Sequence, residues 1–237
     1  MSVSEQYGQD GIYAYEDQQA LQRLLSLGFQ PQIIVDVGAS DGAWSKDIDD
    51  MSIPAEYYLF EPLSSQTSEY REEMQRSLQA HPHFHLQECA LGAEIGEVSI
   101  KILPEVVGST TLDLEGYSGD YRTIVVPRKT IDSLVASQQI PVPNLLKIDT
   151  QGSELEILKG AINILEQIDV LLLETWLYRG YGRQTPLLNE LMAWLEPFGF
   201  RLWDMGGTYR EGSVLASVDC WFVNTRLEFV PDWYYAK

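Results

Sequence analysis

The chain has 237 residues, with 35 Asp or Glu against 16 Lys or Arg, and a formal charge of -19. A surface this acidic repels phosphate backbones and excludes nucleic acid as a main partner. Hydrophobic residues make up 45% and charged residues 22%, a globular balance at a length one core can serve, and no apolar run nears the roughly 20 residues that span a bilayer.

Met1 to Gln6 has neither a basic stretch nor an apolar core, so no secretory signal is read there. Cys89 and Cys220 each sit in an apolar stretch and read as free thiols of a reducing compartment, so a cytoplasmic location is expected. A single domain over 1–237 is expected, with a helical extension over 1–30 and an alternating α/β core over 31–237.

Ala20, Leu21, Leu24, Leu25 and Leu27 between Glu16 and Leu27 form a helical stripe that Gly28 is placed to stop. Ile33 to Val37 reads as a buried strand, Ala43 to Asp50 as a helix, and Glu56 to Phe60 as a strand. A helix over Ser64 to Leu78 is expected to be capped by Ser64 or Ser65. His83 to Ala90 gives a third strand and Glu97 to Leu103 an extra one. The polar stretch within 104–122 has little periodicity and is expected to be a loop or lid.

Pattern returns with a strand at Thr123 to Val126, a short helix from Asp132, the strand Asn144 to Ile148, and a helix over Ser153 to Leu158. The apolar strand Val170 to Leu173, a helix over Pro186 to Leu195, and strands near Phe200 to Trp203 and Val218 to Val223 follow. Such alternation indicates a doubly wound α/β fold, a mostly parallel sheet with helices on both faces and its ligand at the carboxyl ends of the strands. The aromatic tail Phe229 to Tyr235 is expected to cover a core edge or a subunit partner, and a homo-oligomer is compatible with it.

The first strand runs through Asp36 into Gly38-Ala39-Ser40-Asp41-Gly42, a turn whose glycines let the backbone approach a ligand before a helix begins. This is a nucleotide-cofactor signature, but the third glycine of G-x-G-x-x-G is missing, which weakens a dinucleotide reading. Glu61, followed by Pro62, ends the second strand about 20 residues later, where a carboxylate accepts bonds from ribose hydroxyls. Glu88, Cys89 and Ala90 occupy the corresponding end of the third strand and suit an adenine. Lys147 and Asp149 share a face at the end of a further strand, either as an ordering ion pair or as catalytic groups.

Val35 to Gly42, Phe60-Glu61-Pro62, Cys89 to Gly92, Thr130 to Leu134 and above all Leu146 to Ala161 resemble, in order and spacing, the FkbM family of S-adenosylmethionine-dependent methyltransferases. The resemblance implies a class I methyltransferase fold, Rossmann-like, with seven strands and a reversed final strand. It implies S-adenosylmethionine as cofactor and usually O-methylation of a small molecule or a sugar-bearing natural product, as in secondary metabolism. Many members have Asn where this chain has Ser40.

Methyl transfer to a hydroxyl needs in-line approach, exclusion of bulk water and a destination for the acceptor proton. Asp149 is the best-placed group for that proton, with Lys147 and Glu154 beside it. Glu174 is a third carboxylate near the same sheet edge, and with Asp149 it offers a minority reading as a divalent-metal site; no metal is predicted. Acceptor recognition is assigned to Trp176, Tyr178 and Arg179 after the apolar strand, with Ser109 and Thr110 of the earlier loop. His81, His83 and His85 alternate with Pro82 and Phe84 and read as an exposed strand face. Two alternatives stay open: a protein that binds S-adenosylmethionine without turnover, and an α/β-hydrolase using Ser40 in G-x-S-x-G. The latter lacks a late histidine.

Overall fold

A computed structural model describes residues 10–228; the aromatic tail from Phe229 lies outside them. The elements are α1 (Asp10–Ser26), β1 (Ile33–Val37), α2 (Ala43–Asp49), β2 (Glu56–Phe60), α3 (Ser68–Ala80), β3 (Phe84–Gln87), β4 (Ala90–Leu91), β5 (Gly96–Ile102), β6 (Arg122–Lys129), α4 (Ile131–Ala136), β7 (Leu145–Ile148), α5 (Glu154–Lys159), β8 (Val170–Trp176), α6 (Leu188–Leu195), β9 (Phe200–Glu211) and β10 (Val214–Asn224). The main sheet has seven strands in the order β3-β2-β1-β7-β8-β10-β9. The pairs from β3 to β8 are parallel, and β10 runs antiparallel to both β8 and β9. This is the expected doubly wound α/β architecture with one reversed strand.

Strand periodicity divides the apolar residues between two faces. Val35, Val37, Leu146, Ile148, Leu171 and Leu173 pack on one face with Ile131, Leu134, Ile157, Leu191 and Leu195 of α4, α5 and α6. Ile34, Leu145, Val170 and Leu172 pack on the other with Leu21 and Leu24 of α1, Ile48 of α2 and Met74 of α3. Central strands buried on both sides need the near-continuous apolar runs this sequence has. No helix among the described residues is long and apolar enough to cross a membrane.

Three details differ from expectation. The helix expected from Ser64 begins at Ser68, because Thr67 is extended and its side chain accepts from the Tyr70 N–H at 3.4 Å, while the Ser64 hydroxyl donates to Glu88 at 2.9 Å instead. The third strand stops at Gln87, and Ala90–Leu91 leaves the main sheet to pair in parallel with β6 in a second sheet of order β4-β6-β5. The last two strands are 12 and 11 residues long, longer than their apolar cores suggest, because they form one continuous hairpin. The small sheet turns Ile100, Ile102 and Val126 toward Leu63 and Tyr70, a third apolar cluster beside the carboxyl ends of β1 and β2.

Candidate functional site

At the end of β1 the chain turns through Gly38 (φ 78°), Ser40 (φ 54°) and Gly42 (φ 86°). Only glycine fits at Gly38: an added Cβ would lie 1.8 Å from the Asp149 carbonyl oxygen, so the ends of β1 and β7 touch backbone to backbone. The Gly38 and Ala39 N–H groups donate to the Phe60 carbonyl at 3.0 and 3.2 Å, tying the turn to the end of β2. Ser40 is a non-glycine residue in the left-handed region, a costly conformation of the kind that clusters at ligand sites. Asp41 closes the turn by accepting from the Ala43 N–H at 3.0 Å, at the start of α2.

Glu61 reaches back over this turn. One carboxylate oxygen accepts from the Ser40 N–H at 2.9 Å and the other from the Leu63 N–H at 2.7 Å. Burial pushes its carboxyl up to about 7 against the opposing pull of those two bonds. Burial in an apolar wall disfavours the charged form, and backbone donors restore only part of the lost hydration.

Beneath the turn lies a chain of charges. Lys147 on β7 donates to Asp36 at 2.9 Å and stands 3.6 Å from Asp149, while the Ser45 hydroxyl donates to the other Asp36 oxygen at 2.7 Å. Burial pulls the Lys147 ammonium down, but the Asp36 and Asp149 charges raise it further, so it stays cationic. Glu154 is fully buried and accepts from the Thr150 and Gly152 N–H groups at 3.1 and 3.0 Å, while its second oxygen has no hydrogen-bond partner. Burial raises its carboxyl to about 7.

Glu174 on β8 and Asp219 on β10 are register partners. Each is raised well above the usual carboxylate range, first by burial and then by neighbouring acids. Asp17 of α1, nearly buried, accepts from the Trp44 and Trp221 indoles at 3.0 Å each and is raised by burial to about 6.

A cavity enclosing about 750 Å³, mouth included, opens between the turn, the end of β7 and the small sheet. Gly38, Ser40, Glu61, Pro62, Cys89, Ala90, Ser109, Thr110 and Asp149, all singled out in the sequence, line it together. Asp36, Ala39, Asp41 and Gly42 stand behind its wall and shape the turn. Glu88 is exposed and holds Ser64, so its neighbour Cys89 faces the space in its place.

Lys147 and Glu154 are also outside the lining, occupied with Asp36 and with the α5 N-terminus. Trp176 is buried against Glu174, its indole donating at 3.2 Å; Tyr178 is bonded to Glu211, and Arg179 is held by Glu190 and by the Thr185 carbonyl. These three therefore lie apart from the cavity, with their polar groups already engaged.

Thr111, next to Ser109 and Thr110 in the same loop candidate, and Gln151 and Ser153 of the Leu146 to Ala161 block also line the cavity, and Tyr70 and Ile100 line it without having been singled out. Gln151 was assigned no role of its own, yet it has positive φ (58°), accepts from the Tyr181 hydroxyl at 2.5 Å and donates to Asp149 at 3.1 Å. Ile100 and Tyr70 enter only through packing of the second sheet. Two of the three histidines do not lie on an exposed strand face: the side chains of His81 and His83 are 16% and 33% exposed and both bond to Asp49, while His85 on β3 is 41% exposed. His81 and His83 precede β3, His85 lies within it, and none lines the cavity that Ser40 faces, so a hydrolase reading of Ser40 finds no histidine base there.

The model of the methyltransferase FkbM domain matches residues 36–202, from the buried aspartate of β1 into β9. The chain belongs to the FkbM methyltransferase family. Among characterised relatives, this FkbM chain is 26% identical over 160 residues to the hexuronic acid methyltransferase AglP of Haloferax volcanii, a match spanning 67% of this chain and 62% of AglP. Solved structures with similar folds include precorrin-6y C5,15-methyltransferase of Geobacter metallireducens (TM-score 0.45, 13% identity, 86% of this chain and 87% of that one). Another is magnesium protoporphyrin IX methyltransferase of Synechocystis with bound SAM (TM-score 0.46, 12% identity, 89% and 81%).

Proposed function

We propose that this FkbM methyltransferase uses S-adenosylmethionine to methylate a hydroxyl of a sugar or other hydroxyl-rich small molecule. The observation that carries the reading is the meeting, in one cavity, of the tight Gly38 turn, the Glu61 carboxylate and Asp149. These residues fit the cofactor. A turn with no side chain at Gly38 brings the backbone close to the cavity, and Glu61 offers a buried acceptor for ribose hydroxyls. Apolar Phe60, Leu91 and Ile100 line the space and suit a purine. When bound, the cofactor supplies an electrophilic methyl group on a sulfonium.

The chain's own residues supply the rest. Asp149, with its side chain 38% exposed, is positioned by Gln151 and Lys147 to accept a hydrogen bond from an incoming hydroxyl and then its proton. Lys147 stands 3.6 Å from Asp149 and outside the lining of the cavity, so it orients that carboxylate without facing the acceptor. Glu174 and Asp219, register partners on β8 and β10, stand outside the cavity lining with their carboxyls held up by burial. The relative that acts on a hexuronic acid supports a glycan-type acceptor.

The test is a mass-shift screen of sugars and glycosylated small molecules with purified protein and S-adenosylmethionine. A gain of one methyl group on a hydroxyl is expected, and Asp149→Asn is expected to lower kcat by roughly 100-fold or more while cofactor affinity by calorimetry changes less than threefold. Cofactor binding without turnover across the panel would favour a binding protein. Equal loss of affinity and rate in the variant would remove Asp149 from the proton-transfer role.

A further inference from the structure

The amino ends of the strands, the edge of the sheet opposite the cofactor turn, hold a second group of chemistry-bearing side chains. Asp49 ends α2, and His81 and His83 lead into edge strand β3. His81 Nδ1 lies 2.8 Å from one Asp49 oxygen and His83 Nε2 lies 2.8 Å from the other. One ligand atom from each of the three lies within 4.8 Å of the others. The rings are fixed from outside: His81 stacks on Phe84 at 4.6 Å, and His83 packs edge-on against Phe84 at 5.2 Å.

We propose that Asp49, His81 and His83 form a divalent metal site with a preference for zinc. Two imidazoles and one carboxylate are the donor types of zinc sites, whereas magnesium takes a near-complete oxygen shell. Donors about 2.0–2.1 Å from a tetrahedral ion stand roughly 3.3 Å apart, so the two 2.8 Å nitrogen–oxygen pairs need to open by only about half an ångström to admit an ion in place of the shared protons. A second observation points to a bound group: the Tyr57 hydroxyl is wholly buried, has no hydrogen-bond partner, and lies within the field of the Asp49 carboxylate, with its ring 5.7 Å from that of His83. An ion-bound water is the kind of partner it lacks. Asp49 and His83 also border an open groove with Gln32, Pro54 and Glu56, which gives an ion and its fourth ligand a way in from solvent. An ion here would pin the end of α2 to the start of the edge strand.

The experiment is calorimetric titration of chelator-treated, tag-free protein with zinc chloride and, separately, magnesium chloride. One zinc per chain is expected, with no magnesium heat. Affinity should weaken at least tenfold in His83→Gln and in Asp49→Asn, and should be unchanged in His85→Gln, whose ring bonds Glu56 instead. Cobalt(II) added to the unaltered protein should give intense tetrahedral visible bands, a readout independent of whether any variant folds. Wild-type protein that takes up no stoichiometric zinc and gives only the octahedral cobalt spectrum would overturn the site. So would folded His83→Gln and Asp49→Asn proteins that bind zinc as tightly as wild type.

Discussion

Glu61 answers two demands with one carboxylate: it holds the backbone of Ser40 and Leu63, and it is the acidic group facing the proposed ribose position. Its pKa near 7 makes it a different ligand on the two sides of neutrality. When ionised it accepts at both oxygens; when protonated it gives up acceptor capacity and offers a donor. Replacing it by Gln keeps the volume but turns an amide N–H₂ toward one of the two backbone donors. Since hydrogen bonds to charged groups contribute about 1.5–3 kcal/mol, Glu61→Gln is expected to weaken S-adenosylmethionine binding about 10- to 100-fold, measurable by calorimetry. An affinity within twofold of wild type would show that the carboxylate serves the loop alone. Lys147 illustrates the opposite case. Its spacing from Asp149 marked it for chemistry, yet its ammonium is spent on Asp36, under the turn rather than in the cavity.

The elements that complete the site belong to the small sheet, which is joined to the main body through glycine contacts. A Cβ on Gly160, at the C-terminal end of α5, would lie 2.1 Å from the Gly92 carbonyl, and the Gly92 N–H in turn donates to Lys129 of β6 at 3.1 Å. The Gly160 carbonyl also accepts from the Asp132 N–H at 2.9 Å, at the start of α4. Backbone cannot yield as a flexible side chain does, so Gly160→Ala is expected to cost about 1–3 kcal/mol, as overpacking does elsewhere. Urea unfolding should show a lower midpoint with an unchanged slope. Because β4 brings Ala90 and Leu91 to the cavity, cofactor affinity should fall with it; a variant as stable as wild type would show that helix and sheet separate freely. This contact also gives the Leu158-Lys159-Gly160-Ala161 segment a physical meaning that its sequence did not carry.

For the molecule as a whole, buried acids govern the response to pH. Asp17 is raised to about 6, and Glu61 and Glu154 to about 7, each first by burial. Unfolded carboxylates titrate near 4, so between pH about 4 and 7 the native protein binds more protons than the unfolded chain. Stability from these groups is therefore present below pH 4 and is lost as pH rises through 6 to 7. Relief of the -19 formal charge on acidification acts in the same direction. The cofactor-free protein is expected to have a higher Tm at pH 5.5 than at pH 8 at constant ionic strength, by scanning calorimetry; a Tm that climbs across that range would mean these acids are ionised and well paired in the native state. Cofactor affinity should move the other way, rising as Glu61 ionises.

The sequence by itself determined the strand and helix alternation, the glycine turn after β1 and the acids at the strand ends. Those depend on local periodicity, on glycine's freedom at positive φ, and on the rule that parallel strands present their carboxyl ends together. Tertiary structure alone decided which of those residues face the cavity. Whether Lys147 reaches solvent or Asp36, whether Arg179 is free or held by Glu190, and whether two histidines meet Asp49 depends on contacts between residues far apart in the chain, for which a linear pattern has no signal.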